Sequence, residues 1–383
     1  MLQGGKVSAP RWETGAFLAG RTEQYLFCCR FDKAESYLYF LGNTRNVSVA
    51  VFYGCFLCYR KSIVLLSGNM RAADFFVDKV ITISEENIMK KTIFTGAATA
   101  IITPLNENGV DYESFGRMIE WQIAEGIDAI VACGTTGEAS TLTDEEHREC
   151  IKFAVEKAAG RVPIIAGTGS NDTDYALDLT KYACEVGADA VLLVTPYYNK
   201  ATQKGLIKSF GVVADAATAP CILYNVPSRT GCNIMPKTMA ELADHPNIVA
   251  VKEASGNLSQ IAEIAALTRG KLDIYSGNDD QILPVLSLGG KGVISVLSNI
   301  LPKETSMMCK HFFDGNVAEA TKMQLDYLPL INALFCEVNP IPAKAACAAM
   351  GYGENYVRLP LTTMEEENEK KLRALMREAG LNV

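Results

Sequence analysis

The sequence is poor in histidine and lacks a complete metal-binding motif. Its three histidines (His147, His245 and His311) are far apart in 383 residues, and the twelve cysteines include one C-x-x-C pair, Cys55 and Cys58. No second pair or histidine cluster completes a zinc site, so the sequence predicts neither a metal nor another cofactor. Cysteines that are mostly flanked by apolar residues and show no repeated spacing are typical of a reducing cytosol.

Excess positive charge and long apolar runs are also absent. The formal net charge is −8, the isoelectric point is near 5.2, and no basic stripe is present, which argues against a nucleic-acid-binding protein. The apolar run from Val47 to Tyr59 is interrupted by Arg60 and Lys61, short of the ~20 residues that a membrane span needs. It also lies too far from Met1 for an ordinary secretion signal. We therefore expect a cytoplasmic protein that does not enter a membrane.

Residues 1–88 differ in composition from the rest of the chain. They hold 14 of the 32 aromatic residues and carry a net charge of +2, against −10 for the remaining 295 residues. They show no clear helical or strand period, whereas a regular pattern begins soon after Met89. We interpret Met89 as a natural start and residues 1–88 as an atypical N-terminal extension, non-native or poorly ordered. The alternative is a small interaction module.

From Lys91 onward, short β-branched runs alternate with helical stretches of ten to fifteen residues. This alternation predicts an α/β protein built as a (β/α)₈ barrel over residues 89–302, followed by a C-terminal helical region over residues 303–383. An open doubly wound sheet is the alternative, and it is disfavoured because no G-x-G-x-x-G follows the first strand. The predicted strands are Ala98–Leu105, Ala129–Gly134, Pro163–Gly169, Ala190–Pro196, Cys221–Pro227, Ile248–Ala254, Leu272–Gly277 and Gly292–Val296.

A lysine stands near the end of the sixth predicted strand. The apolar run Ile248–Val251 leads directly to Lys252, so the amine should reach the mouth of the barrel from an apolar wall. Burial disfavours the charged form, which makes Lys252 a candidate Schiff-base nucleophile. The alternative is a structural lysine that pairs with a neighbouring carboxylate.

Other strand ends carry groups suited to a keto acid. Gly134–Gly137 encloses Thr135 and Thr136, which can cradle a carboxylate, although the segment could be only a tight turn. Tyr198 and Tyr224 are candidate proton carriers or ordinary half-buried aromatics. Arg229 suits a substrate carboxylate or is a solvated loop charge.

Asp279 and Asp280 follow the seventh predicted strand, where they could bind a cation. We favour a loop role, because no third oxygen ligand stands at a suitable spacing. Taken together, the strand ends indicate a metal-free class I aldolase, in which a lysine imine becomes an enamine that attacks a second carbonyl.

From about Phe94 to the C-terminus, the chain resembles the dihydrodipicolinate synthase family of the pyruvate-dependent aldolase superfamily. The resemblance rests on Gly134–Glu138, Tyr224–Gly231 and Val251–Ala254, and it extends to Asn339–Pro342 and Arg358–Pro360. It implies condensation of pyruvate with L-aspartate 4-semialdehyde, in the cytoplasm, by a homotetramer built as a dimer of dimers. The branch of sialic acid lyases is less similar, because it generally lacks the paired threonines. Other keto-sugar aldolases and a non-catalytic keto-acid sensor are further alternatives.

The resemblance also implies a role for each matched residue. Lys252 would form the Schiff base, and Tyr224, Thr135 and Tyr198 would relay protons, with Tyr198 supplied by a neighbouring subunit. Four further residues would surround the substrates: Thr136 and Ile294 at pyruvate, Gly277 along the pocket wall, and Arg229 at the entrance, where it would receive the aldehyde substrate.

One departure from the family pattern concerns feedback inhibition by lysine. In the pocket that would bind it, Asp144 replaces a histidine, and Tyr175 replaces the glutamate expected to hold the ligand's ammonium. Loss of such a charged partner costs about 1.5–3 kcal/mol, so we expect weak or absent inhibition. The other matching positions are Ala139, Ser140, His147, Asn171 and Tyr197.

Overall fold

The computed structural model describes residues 90–383 and, before them, the backbone of six strand segments. These segments pair in sequence order as one antiparallel sheet: Gly15–Leu18, Tyr25–Phe31, Ala34–Thr44, Val47–Tyr53, Lys61–Ser67 and Thr82–Ile83. The other residues before Lys90 lie outside the described residues, so the extension and the interaction module proposed for residues 1–88 stay predictions. The chain divides into two units, Met1–Met89 and Lys90–Val383.

In the second unit, eight parallel strands close into a barrel. Each strand pairs with the next along the chain, and the eighth pairs with the first, Ile294 lying opposite Ala98. The strands are β1 (Gly96–Ala100), β2 (Ala129–Ala132), β3 (Ile164–Gly167), β4 (Ala190–Val194), β5 (Cys221–Asn225), β6 (Ile248–Glu253), β7 (Asp273–Ser276) and β8 (Gly292–Ser295). The predicted barrel is confirmed.

The strands have apolar residues on both faces because both faces are covered. Ala98, Ile222 and Ile294 belong to a buried cluster inside the barrel, and Leu223 and Val251 belong to a larger cluster between barrel and helices. Most predicted strands are one or two residues too long at their C-terminal ends, where the chain already turns into a loop.

The predicted end of the first strand was wrong. β1 ends at Ala100, because Ile102 donates its N–H to the Asn299 side chain at 3.0 Å and Pro104 has no N–H to offer a neighbouring strand. Leu105 instead lies in a short hairpin, Leu105–Asn106 with Gly109–Val110.

Helices alternate with the strands and cover the barrel. They are α1 (Tyr112–Ala124), α2 (Asp144–Ala158), α3 (Thr173–Glu185), α4 (Gln203–Ala216), α5 (Pro236–Leu242), α6 (Leu258–Thr268), α7 (Ile282–Ser287) and α8 (Pro302–Phe313). Shorter turns occur at Pro227–Thr230, Asp279–Gln281 and Leu297–Asn299. A capping box opens α2: Glu146 donates its N–H to Thr143 Oγ1, and Thr143 donates its N–H back to the Glu146 carboxylate.

The chain after the barrel is helical, as predicted. The helices are α9 (Val317–Asp326), α10 (Leu328–Ala333), α11 (Ile341–Ala349) and α12 (Glu366–Glu378), and Pro340 stands at the N-cap of α11. No helix in the described part of the chain combines the length and apolar character that crossing a bilayer requires.

Candidate active site

The amine of Lys252 lies against the ring of Tyr224 at the end of the barrel where the strands finish. The two residues are direct neighbours on β6 and β5, and Lys252 Nζ is 4.3 Å from the centre of the tyrosine ring. Each residue is 6% exposed. A lysine on the inner wall of a barrel, close to an aromatic face and largely shielded from water, can meet a small keto acid at the mouth.

The loop after β2 carries both threonines and is held tightly to the barrel. Gly137 donates its N–H to Gly134 O, and its carbonyl accepts a hydrogen bond from Thr103 Oγ1 at 2.8 Å. A Cβ at Gly137 would lie 3.2 Å from the backbone of Cys133, so glycine allows the turn to pack close to β2 without this tight contact. Thr136 is buried and Thr135 is half-buried at the same end of the barrel as Lys252.

Asn339, from the segment before α11, joins the threonine loop to the segment after β5. Its Nδ2 donates to Thr136 Oγ1 at 3.0 Å, and its carbonyl accepts from Arg229 Nη2 at 3.1 Å. The Asn339 side chain is buried, and its Oδ1 has no hydrogen-bond partner among the described residues. The structure therefore brings Thr136 and Arg229 together through one residue of the C-terminal region.

Gly277 follows β7, the strand that pairs with β6, and Ile294 lies on β8. Gly277 donates its N–H to Glu253 O at 2.8 Å, and an added Cβ would meet the Ala254 side chain at 2.6 Å. Ile294 is fully buried on β8 and belongs to the same inner cluster as Tyr224.

Tyr198 is a predicted site residue that faces the surface of the single chain. It lies in the loop after β4 with 91% of its surface exposed and with φ at +70°, in the left-handed region that side chains seldom adopt. An aromatic side chain held outward in this way contributes nothing to the pocket of its own chain.

Asp279 has a structural role, as favoured from the sequence. It is buried, and its Oδ2 accepts hydrogen bonds from the N–H groups of Val296 and Leu297, both at 2.9 Å, which fixes the chain after β8. Burial raises the pKa of the Asp279 carboxyl, and hydrogen bonds from Ser295 and the backbone oppose that rise. Within residues 90–383, no three His, Cys, Asp or Glu side chains are grouped to hold a metal ion.

Sequence reasoning missed the links between the threonine loop and the C-terminal region. Glu138 forms a buried ion pair with Lys344 at 2.7 Å and accepts the Arg358 N–H at 3.1 Å. One signal was available, because Lys344 is the single charged residue in the otherwise apolar helix Ile341–Ala349. A lone charge on such a helix indicates a buried partner.

Residues 93–379 match the sequence profile of the Dihydrodipicolinate synthetase family. This range contains the whole barrel and the helices after it. The chain belongs to this family.

Curated relatives in the dihydrodipicolinate synthetase family agree over the same region. The chain is 57% identical over 293 residues to the 4-hydroxy-tetrahydrodipicolinate synthase of Acetivibrio thermocellus, covering 76% of this chain and 100% of the relative. It is 58% identical over 291 residues to the enzyme of that name from Lachnoclostridium phytofermentans, covering 76% and 99% of the two chains.

Solved structures of the family share the fold. The dihydrodipicolinate synthase of Aquifex aeolicus has a TM-score of 0.74 and 47% identity, over 75% of this chain and 99% of that one. The chloride-inhibited enzyme of Acinetobacter baumannii, solved in complex with pyruvate, has a TM-score of 0.74 and 44% identity, over 76% of this chain and 100% of that one.

Proposed function

We propose that this protein condenses pyruvate with L-aspartate 4-semialdehyde to give 4-hydroxy-tetrahydrodipicolinate, the first committed step of the diaminopimelate and lysine pathway. The main support for the proposal is the largely buried amine of Lys252, which lies 4.3 Å from the centre of the Tyr224 ring. Membership of the family and identities above 50% to enzymes of that activity support it.

The reaction begins with the Lys252 amine. It adds to the ketone of pyruvate, and loss of water leaves an imine whose cationic nitrogen draws electrons from the methyl group. Removal of a methyl proton gives the enamine, which forms a carbon–carbon bond to the aldehyde carbon of the second substrate. The amino group of that substrate then replaces the lysine nitrogen, which closes the product ring and frees Lys252. This sequence needs neither a metal nor a cofactor.

The other residues have separate tasks in this proposal. Tyr224, Thr135 and a Tyr198 from a neighbouring subunit move protons on and off the reacting oxygen and nitrogen. Thr136 and Ile294 contact pyruvate, and Gly277 lines the pocket beside it.

Arg229 receives the carboxylate of the aldehyde substrate at the entrance. Its guanidinium is exposed on one side and anchored on the other by the Asn339 carbonyl. A fixed planar cation is well suited to bind a carboxylate in a protein whose net charge is negative.

We also propose a homotetramer, a dimer of dimers, that acts in the cytoplasm. The outward position of Tyr198 supports an assembly in which each site borrows this side chain from a neighbour. Activity would then fall as the protein is diluted below the dissociation constant of that contact, which sedimentation and assay at matched concentrations would reveal.

Weak or absent inhibition by lysine is part of the same proposal. Asp144 is engaged by Arg148 Nε at 2.7 Å, so it is not free to hold the ammonium of a ligand. Tyr175 offers no full negative charge, because burial and a hydrogen bond with Asp144 raise its pKa to about 12. Half-inhibition by lysine below its cellular concentration would contradict this.

The decisive experiment is reductive trapping followed by assay. Borohydride with pyruvate should add a stable mass to the tryptic peptide that contains Lys252, and Lys252→Ala should abolish it. A coupled assay with aspartate semialdehyde should then show condensation. A trapped adduct without condensation would indicate a keto-acid sensor, and no adduct at all would refute the proposed function.

A further inference from the structure

Glu253 is a buried carboxylate on the outer side of the barrel wall, directly after Lys252. Successive residues of a strand point to opposite faces, so Lys252 faces the interior and Glu253 faces the helix layer. The packing agrees, because Ala250 belongs to the inner cluster and Val251 to the outer one. Glu253 is 1% exposed and cannot touch a substrate inside the barrel.

The hydrogen-bond partners of this carboxylate are neutral donors. Asn225 Nδ2 lies 3.0 Å from Glu253 Oε2 and 3.3 Å from Oε1, and Ser255 donates its N–H to Oε1 at 2.8 Å. Within residues 90–383, no lysine or arginine forms an ion pair with Glu253. Burial raises the pKa of Glu253, and the hydrogen bonds from Ser255, Asn225 and Gln260 oppose the rise. Burial of a carboxylate without a cationic partner costs free energy, and the hydrogen bonds to Glu253 offset part of that cost.

Asn225 connects this carboxylate to the rest of the barrel end. Its Nδ2 also donates to Asn233 Oδ1 at 2.8 Å, and its Oδ1 accepts the Ile234 N–H at 3.0 Å. Asn233 and Gln260 exchange two further hydrogen bonds at 2.8 and 3.1 Å. The network therefore ties together the ends of β5 and β6, the segment after β5 and the start of α6.

The register of the two strands relates this network to the reacting groups. Asn225 lies opposite Glu253, and one residue earlier Tyr224 lies opposite Lys252. A shift that separates Asn225 from Glu253 would also move the Tyr224 ring away from the Lys252 amine, because both pairs lie on the same two strands.

We propose that Glu253 is a positioning residue, whose bond to Asn225 holds Tyr224 against the Lys252 amine. This role of Glu253 rests on the proposed function. A carboxylate suits the task because it only accepts hydrogen bonds, and all of its neighbours here donate them. A glutamine would turn an NH₂ group towards one of those donors and loosen the ends of both strands.

The test compares the full-length protein with its Glu253→Gln variant. We expect the rate of borohydride trapping with pyruvate and kcat to fall about tenfold or more, while KM for aspartate semialdehyde changes less than twofold. Asn225→Ser removes the hydrogen-bond donor on the neighbouring strand. It should likewise lower the trapping rate and kcat while KM changes less than twofold. Trapping is measured at a temperature at which circular dichroism shows each variant to be folded.

Asn247→Ser is the matched control at the opposite end of β6. Asn247 Nδ2 donates to the carbonyls of Ala214, Ala217 and Ala219, so the variant should lose thermal stability but trap pyruvate within twofold of the wild-type rate. If folded Glu253→Gln or folded Asn225→Ser traps pyruvate at the wild-type rate, the inference is wrong. It is also wrong if the Asn247→Ser control loses as much of the trapping rate. If the wild-type protein itself traps no pyruvate, the proposed function fails and the positioning role fails with it.

Discussion

Glu138 Oε1 and Lys344 Nζ lie 2.7 Å apart in an ion pair whose side chains are no more than 1% exposed. The pair connects the loop of Thr135 and Thr136 to α11, so the C-terminal region supports the mouth of the barrel. Burial lowers the pKa of Lys344, and the charge of Glu138 opposes that shift. Removal of one partner from such a pair leaves a buried charge without compensation.

We therefore expect Lys344→Met to destabilise the protein by about 3–5 kcal/mol, measured by urea unfolding. The double variant Glu138→Gln with Lys344→Met should recover a large part of this loss, because no charge then remains buried. If the double variant lost as much unfolding free energy as the two single variants combined, the electrostatic explanation would be wrong.

Tyr224→Phe separates the hydroxyl of this tyrosine from its ring. The ring that lies under Lys252 Nζ is retained, so folding should be unchanged, whereas a proton carrier is lost. We expect kcat to fall about 100-fold or more in the coupled assay. A decrease of less than threefold would mean that another group moves the proton.

Gly277→Ala tests the space along the pocket wall. The new methyl group would meet the Ala254 side chain at 2.6 Å, which forces the loop after β7 to move and should cost about 1–3 kcal/mol of stability. Gly211→Ala is the matched control within α4, where an added Cβ meets nothing within 4 Å. It should stabilise the helix by up to about 1 kcal/mol. Equal effects of the two changes in urea unfolding would contradict the predicted crowding.

His147 should make stability depend on pH in the acidic range. Its Nε2 donates to the Gly167 carbonyl at 2.8 Å, and burial holds the pKa of this histidine below its ordinary value of 6.5. The unfolded chain takes up the proton at a higher pH than the folded one. The contribution of neutral His147 is therefore complete above about pH 6.5 and is lost as the pH falls towards the folded pKa.

His147→Gln removes this titration and keeps an N–H donor for Gly167. The difference in unfolding free energy between wild type and variant should change between pH 7.5 and 5.5, with a slope of at most about 1.4 kcal/mol per pH unit. A difference that stays constant over this range would show that His147 does not titrate there.

The eight strands, the helices between them and the lysine at the mouth could be predicted from the sequence because they follow from local patterns. Apolar runs of strand length, capping residues such as Thr143 and a strand that runs straight into Lys252 each act over a few neighbouring residues. The end of β1 could not be predicted in this way, since it depends on Asn299, which is distant in the chain and adjacent in the fold.

The groups that support the site could not be identified before the fold was known. Asn339 reaches Thr136, Lys344 reaches Glu138 and Glu253 meets Asn225 across separations of 203, 206 and 28 residues, and no local period records such pairings. The barrel and its candidate nucleophile could be predicted without a structure, because apolar runs and the spacing between strands are local features of the chain. Closure of the barrel then determined which polar side chains share one buried space, since hydrogen bonding there depends on distances that only the folded chain defines.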